Sequence, residues 1–274
     1  MSLIACIQMA SGPNVQANLG EAGRLIRNAV AAGAKFVLLP EHFAQMGMKE
    51  TDKLDIMETE GKGPIQTFLA ETARQHKIWV AGGSIPLRGN DPKRARSSLL
   101  LYNDQGIQVA RYDKIHMFDV HIPQNGERYQ ESATIEPGDQ VVVIDTPLGR
   151  TGLCVCYDMR FPELFRQQVE QGMEVLLIPS AFTAITGKVH WEPLLVARAI
   201  ENQCYVAAAN QGGYHKNGRE THGHSMIVDP WGNILDCLPS GSGFVIGKID
   251  RAKLEATRKN FPAISHRRLS CSIV

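Results

Sequence analysis

Short apolar runs of strand length recur along the whole chain, separated mostly by segments with helical spacing and in several places by tight turns. That alternation limits the fold more than any other feature of the sequence. The run "LIACIQM" comes first, inside an N-terminal stretch with no basic leader region, so it reads as a strand rather than a signal peptide. Leu19, Ala22, Leu25, Ile26, Ala29 and Val30 then share one helix face, and Gly33 stops that helix before the apolar "KFVLLP". This is a βαβ unit. Residues 42–63 are polar with few structure-formers, which places a long loop after Pro40 and Glu41. Pro64 can open a helix that runs to about His76, ahead of the strand "IWVAGGS".

"SSLLLYNDQGIQVARYDK" reads as a hairpin around Asn-Asp-Gln-Gly, with Lys114 where its second strand ends. "VVVIDTPLGRTGLCVC" repeats the pattern around Pro147-Leu148-Gly149. Pro162 suits the first turn of the next helix, so Cys156 falls at a strand-to-helix junction. The strands "EVLLIPSA", "YVAAAN", "HSMIVDP" and "GFVIGKID" follow, with helices over 191–202 and 251–260. The expected fold is a layered α/β sandwich with mixed sheets. No fixed-period repeat or linker-like tract divides residues 1–274, so a single domain is expected.

Composition narrows the partners. With 29 basic against 28 acidic side chains there is no electrostatic footprint for nucleic acid or an anionic membrane, and no apolar run has the length of a bilayer span. A small-molecule partner is the expectation. The six cysteines (Cys6, Cys154, Cys156, Cys204, Cys237 and Cys271) are scattered through a chain that needs no staples, which points to free thiols and a cytoplasmic location.

A cysteine is more often a small buried hydrophobe than a catalyst, and Cys154 keeps that reading. Cys156 differs by position. At a strand-to-helix turn the following helix aims its N–H groups and positive dipole at the thiol, which is expected to lower its pKa. A metal reading of the Cys-x-Cys pair would need two further ligands at suitable spacing, which are not in view. Nine histidines offer a base without singling one out. His222 and His224 alternate on an expected strand but lack a third metal ligand, while His116 and His121 lie in a loop. Glu41 directly follows an apolar strand, where open α/β sheets place ligands. Lys114 could balance a thiolate or hold an oxyanion. None of the three decides the matter alone.

Taken together, "LPEHF", "YDKIHMFD" and "CYDMRFPE", in this order and at these separations, resemble the motifs of the nitrilase, or carbon-nitrogen hydrolase, superfamily. The resemblance extends from "IQM" near the start through "PSAF", "HWE", "ARAIENQCYV" and "GHSMIVDPWG" to "HRR". It implies an αββα four-layer sandwich, pairing of an α-layer with that of a second subunit, and a Glu-Lys-Cys triad that uses no metal or organic cofactor. The motifs place that triad on Glu41 as general base and acid, Lys114 as oxyanion stabiliser and Cys156 as nucleophile, with the Tyr157 N–H as a second oxyanion donor. They also imply a supporting glutamate, for which Glu131 in "RYQES" is the match and Glu127 the rival. Asp113 departs from the arginine that many relatives carry before the lysine, and leaves the local charge balance open.

For Glu41 to carry protons, a dry pocket is expected to raise its pKa. "SAFTAITGKVHWE", "ENQCYVAAANQGG" and "HGHSMIVDPWG" resemble the branch that acts on deaminated glutathione more than the neighbouring omega-amidases, which act on 2-oxoglutaramate-type acids. A non-catalytic binding module on the same fold is the alternative from a different class. Phe182, Thr183, Lys188 and His190 are candidate substrate contacts, and Lys188, Lys216 and Arg219 are candidate cations for a distal carboxylate. A homodimer is expected, with the 191–202 helix near its interface.

Overall fold

The computed structural model describes residues 2–123 and 126–270; Met1 and Cys271 lie outside the described residues. In chain order the elements are β1 (Ser2–Gln8), α1 (Val15–Ala31), β2 (Phe36–Leu38), α2 (Asp52–Asp55), α3 (Pro64–His76), β3 (Trp79–Ala81), β4 (Ile85–Arg88), β5 (Ala95–Tyr102) and β6 (Gln108–Asp113). There follow β7 (Asp119–Ile122), β8 (Glu127–Gln130), β9 (Val143–Thr146), β10 (Gly149–Leu153), α4 (Pro162–Glu170), β11 (Val175–Ser180), α5 (Ala184–Asn202) and β12 (Tyr205–Asn210). The last are β13 (Gly212–Tyr214), β14 (Glu220–His222), β15 (Ser225–Val228), β16 (Ile234–Leu238), β17 (Gly243–Ile249) and α6 (Arg251–Asn260).

One sheet has seven strands, ordered β17-β1-β2-β3-β5-β4 with β6 against β5; the other has six, ordered β16-β15-β12-β11-β10-β9. Within them β1-β2-β3 and β10-β11-β12 run parallel, joined by helical crossovers, and hairpins add antiparallel neighbours. Both sheets are therefore mixed, as the sequence pattern indicates.

Side-chain alternation assigns the layers. Ile4 and Cys6 of β1 and Phe36 and Leu38 of β2 join a core with Leu153, Leu176 and Val206 of the second sheet, which continues to Phe165 of α4 and Trp191 and Leu195 of α5. Ala5, Ile7 and Val37 point the other way and pack with Leu25 and Ile26 of α1 and Leu69 of α3. The order is helices, sheet, sheet, helices. Strands covered on both faces need no polar alternation, which is why their sequences are almost wholly apolar.

α5 starts at Ala184, well before the expected 191, which corrects the sequence reading. Thr183 caps it through the Thr186 N–H, and its hydroxyl lies 2.8 Å from that of Thr186. Gly187 and Pro193 mask the helical spacing of this segment. Gly187 is needed for packing, since a Cβ there would run into the His222 side chain.

Gly83 holds the loop that carries Glu41. It has φ +46, and a Cβ at this position would collide with the carbonyl oxygen of Pro40. Gly83→Ala is expected to cost about 2 kcal/mol or more of stability, from backbone strain combined with overpacking. Urea denaturation of the two proteins, alongside their activities, checks this.

Candidate active site

The strand ends converge from both sheets. Glu41 follows β2, Cys156 opens a 3-10 turn (Cys156–Arg160) just beyond β10, and Ala181 follows β11, so each lies past the C-terminal end of a parallel strand. Lys114 arrives from the β5-β6 hairpin, its N–H held by the Ser97 carbonyl. The residues are almost fully enclosed, with Glu41 and Lys114 each 2% exposed and Cys156 and Glu131 each 8%.

The Lys114 ammonium lies 3.0 Å from Glu41 Oε1 and 2.8 Å from both oxygens of Glu131. The second oxygen of Glu41 accepts from the Ala181 N–H at 3.0 Å, and Glu131 also accepts from the Phe118 N–H at 2.7 Å. Glu131, rather than Glu127, meets the lysine; Glu127 accepts from the Tyr129 hydroxyl. Asp113 is balanced by Arg111, whose Nε and Nη2 reach its carboxylate at 2.8 and 2.9 Å, and it also takes the Ser98 hydroxyl proton. The departure from the family pattern at Asp113 is thus locally neutralised.

Both proton affinities expected for the triad are corrected. Burial does push the Glu41 carboxyl up, but the Lys114 and His42 charges and hydrogen bonds from Cys156 and Lys114 outweigh it and bring the pKa below the ordinary glutamate value. For Cys156, burial and the Glu41 charge push the thiol up, against smaller lowering from Lys114 and the Ala181 N–H. The helix dipole does not dominate because a 3-10 turn stands between Cys156 and α4. Burial opposes the charge on Lys114, but Glu131 and Glu41 raise its pKa well above the lysine value. At rest, then, a neutral thiol faces an ionised carboxylate beside a fixed ammonium. A carboxylate so placed can take up a thiol proton.

The turn carrying Cys156 is strained and clamped. Cys156 has φ +47, a left-handed conformation that costs free energy in a non-glycine residue. Asp158, fully buried, accepts from the Val155 N–H at 2.9 Å, the Tyr112 hydroxyl at 2.7 Å and the His116 N–H at 3.0 Å, with His116 Nδ1 at 2.8 Å. The His116 ring stacks on Phe161 with centroids 3.7 Å apart. One carboxylate thereby ties the thiol turn to the segment bearing Lys114. Cys154, two residues earlier, is a core residue whose thiol meets the Leu177 carbonyl.

The thiol opens into a pocket lined by aromatic and charged side chains. Phe118, Tyr129, Tyr157, Phe182 and Thr183 are among its walls. Arg160 also lines it, over the Tyr157 and Phe182 rings at 5.7 and 5.0 Å, and among the described residues it pairs with no carboxylate. His42, Glu50, Lys53 and Arg219 line it as well.

The other candidates fall elsewhere. Lys188 is exposed on α5 and Lys216 is exposed on a loop, and neither lines the pocket. His190 is exposed too and reaches the site only through Arg160, at 3.3 Å. Lys188 falls within α5, which begins earlier than the sequence indicates, and the helix places it on an exposed face. His121 is exposed in β7. His222 ends β14, and His224 lies beyond Gly223 at φ 54, so the two do not alternate on one strand; their rings stack 4.1 Å apart. Arg160, His42, Glu50 and Lys53 were not singled out from the sequence. Arg160 stands four residues after Cys156 in the quoted motif, which was the available signal.

Residues 3–259 match the model of the carbon-nitrogen hydrolase family. The chain is 41% identical to a deaminated glutathione amidase of Yersinia enterocolitica, over 99% of this chain and 94% of that protein. It is 39% identical to the deaminated glutathione amidase of Homo sapiens, over 98% of this chain and 83% of that one. Among solved structures, Saccharomyces cerevisiae Nit3, a member of branch 10 of the nitrilase superfamily, superposes with a TM-score of 0.88 at 30% identity, covering 98% of this chain and 97% of that one.

The ion cluster yields a signed pH prediction. Lys114→Met leaves Glu41 and Glu131 buried without a countercharge, at a cost on the order of 3 kcal/mol near pH 7. In the unmodified protein the depressed Glu41 pKa stabilises the fold above the unfolded value of about 4.3 and ceases to do so as pH falls. In the variant the buried carboxylates titrate above that value, so their penalty shrinks as pH falls. Urea denaturation is expected to show the stability gap narrowing between about pH 7 and pH 5. A constant gap would show that the lysine does not compensate these carboxylates.

Proposed function

The chain belongs to the carbon-nitrogen hydrolase family, and from that premise we propose that it hydrolyses the amide of deaminated glutathione through a thioester on Cys156, giving 2-oxoglutarate and cysteinylglycine. It is an amidohydrolase, a class acting on small-molecule amides. In the proposed sequence Glu41 takes the thiol proton as Sγ attacks the carbonyl carbon. The new oxyanion receives hydrogen bonds from Lys114 and the Tyr157 N–H. Lys114 donates to Glu41 Oε1 and to both Glu131 oxygens at rest, and in the proposed step it turns one of these N–H groups to the oxyanion as that charge develops. Glu41 passes its proton to the departing nitrogen, then accepts one from the water that opens the thioester and returns it to sulfur. Glu131 holds Lys114 in position.

Arg160 is the observation that carries the substrate reading. It is a half-buried guanidinium beside the thiol, burial holds its pKa below the usual arginine value, and its ion-pairing capacity is unused. A carboxylate on the acyl portion, as in a 2-oxo-dicarboxylic acid amide, would meet that capacity. The names carried by the relatives support the same substrate. Among the described residues no helix is long and apolar enough to cross a membrane; a cytoplasmic location suits a glutathione-derived amide, and neither nucleic acid nor membrane has a part in the reading. The chain is taken to work as one domain.

Assembly as a homodimer belongs to the same proposal. α5 leaves Val189 and Ile200 exposed, Ile200 lies against Gly232, and the neighbouring Trp231 meets Phe261 edge-on with centroids 5.8 Å apart. This apolar strip suits a two-fold contact between copies.

Cys156→Ala is expected to abolish turnover without unfolding the protein, while Cys154→Ala should retain activity and lose at most a few kcal/mol of stability. Measured on the unmodified enzyme, kcat/KM for deaminated glutathione should exceed that for 2-oxoglutaramate by at least about tenfold, or roughly 1.4 kcal/mol. The reverse preference would make the enzyme an omega-amidase, and full activity of the Cys156 variant would remove the thioester mechanism. Light scattering at micromolar concentration should give a dimer or an assembly of dimers. A fully active monomer would refute that part.

A further inference from the structure

A second part of the pocket lining, His42, Glu50, Lys53 and Arg219, carries charge that the proposed chemistry does not use. Lys53 pairs with Glu50 at 2.9 Å and Arg219 reaches the same carboxylate at 3.4 Å, so two cations share one anion. Arg219 lies over the Tyr129 ring at 4.9 Å, and its buried Nε finds no acceptor among the described residues. His42, the remaining ionisable group on this wall, is driven neutral by burial, with its pKa lowered to about 4 against the opposing pull of Glu41. The wall therefore holds one positive charge in excess.

Its position relative to Glu41 assigns the part of the substrate it meets. The leaving nitrogen must take its proton from Glu41, so the leaving amine lies on that side of the scissile bond. His42, adjacent to Glu41 in the chain, lines one cavity together with Glu50, Lys53 and Arg219, which makes this cluster the charged surface on the Glu41 side. Arg160 lies on the turn that bears the thiol.

Resting on the deaminated glutathione reading, we infer that Arg219 and Lys53, bridged by Glu50, form a specificity subsite for the terminal carboxylate of the leaving amine. The enzyme then selects amides whose amine portion ends in an anion, such as a dipeptide with a free C-terminus, over amides of ammonia or of neutral amines. Glu50 keeps the two side chains apart and correctly aimed, and leaves one charge for the ligand. A substrate with a carboxylate at each end would then be held at two points of the pocket.

The test compares deaminated glutathione with its C-terminal glycinamide analogue, which loses only the tail charge, and uses the same pair on Arg219→Gln and Lys53→Gln. Unmodified enzyme should favour the free carboxylate by about tenfold or more in kcat/KM, and each substitution should bring that ratio towards one. A purely structural role for Arg219 would lower both substrates together and leave the ratio intact. Equal turnover of the two substrates by unmodified enzyme would overturn the subsite directly and depends on no variant folding. Turnover of 2-oxoglutaramate with neither tailed substrate accepted would instead overturn the deaminated glutathione reading, and the subsite with it.

Discussion

The Lys114 ammonium held between the buried carboxylates of Glu41 and Glu131 is the interaction around which the site is organised. An isolated charge in so enclosed a place would neutralise or draw in water. An ammonium shared by two carboxylates lets all three groups stay ionised, and the two glutamates fix the ammonium in both position and orientation. Glu41 is thereby kept deprotonated beside a thiol that burial keeps protonated. The arrangement differs from the thiolate-imidazolium pairs of many cysteine enzymes because charge separation is deferred until substrate arrives.

Much of the fold was legible because its strands are short, apolar and separated by marked turns. α3 and α6 start and stop where Pro64 and the 251–260 spacing indicate, and the hairpins sit on their turn residues. α5 was truncated in the reading because Gly187 and Pro193 interrupt its pattern, although packing against β12 and β14 tolerates both. Local propensity gave way to tertiary contact there.

The convergence of Glu41, Lys114 and Cys156 was accessible from the order of their motifs, but their proton affinities were not. Those depend on which charges face each other across the gap between strand ends, and a linear sequence does not contain that information. Treating Glu41 as a carboxyl in a dry pocket omitted its nearest neighbour. The same limit explains the distal cations: Lys188, Lys216 and Arg219 look alike as loop charges, and only the path of the chain brings Arg219 to the Glu50 wall. Arg160 was passed over because its importance lies in having no acidic partner, a property of its surroundings.

Glu41 and Lys114 hang from one sheet, Cys156 and Ala181 from the other. The reactive group is thus a product of assembly and belongs to neither half. In a nascent chain, or one whose second sheet has not yet docked, Cys156 is an ordinary thiol without a base, and Glu41 is an ordinary solvated acid. The grouping of carboxylate, ammonium and thiol is complete only when both sheets are in place, which ties it to folding of the whole sandwich.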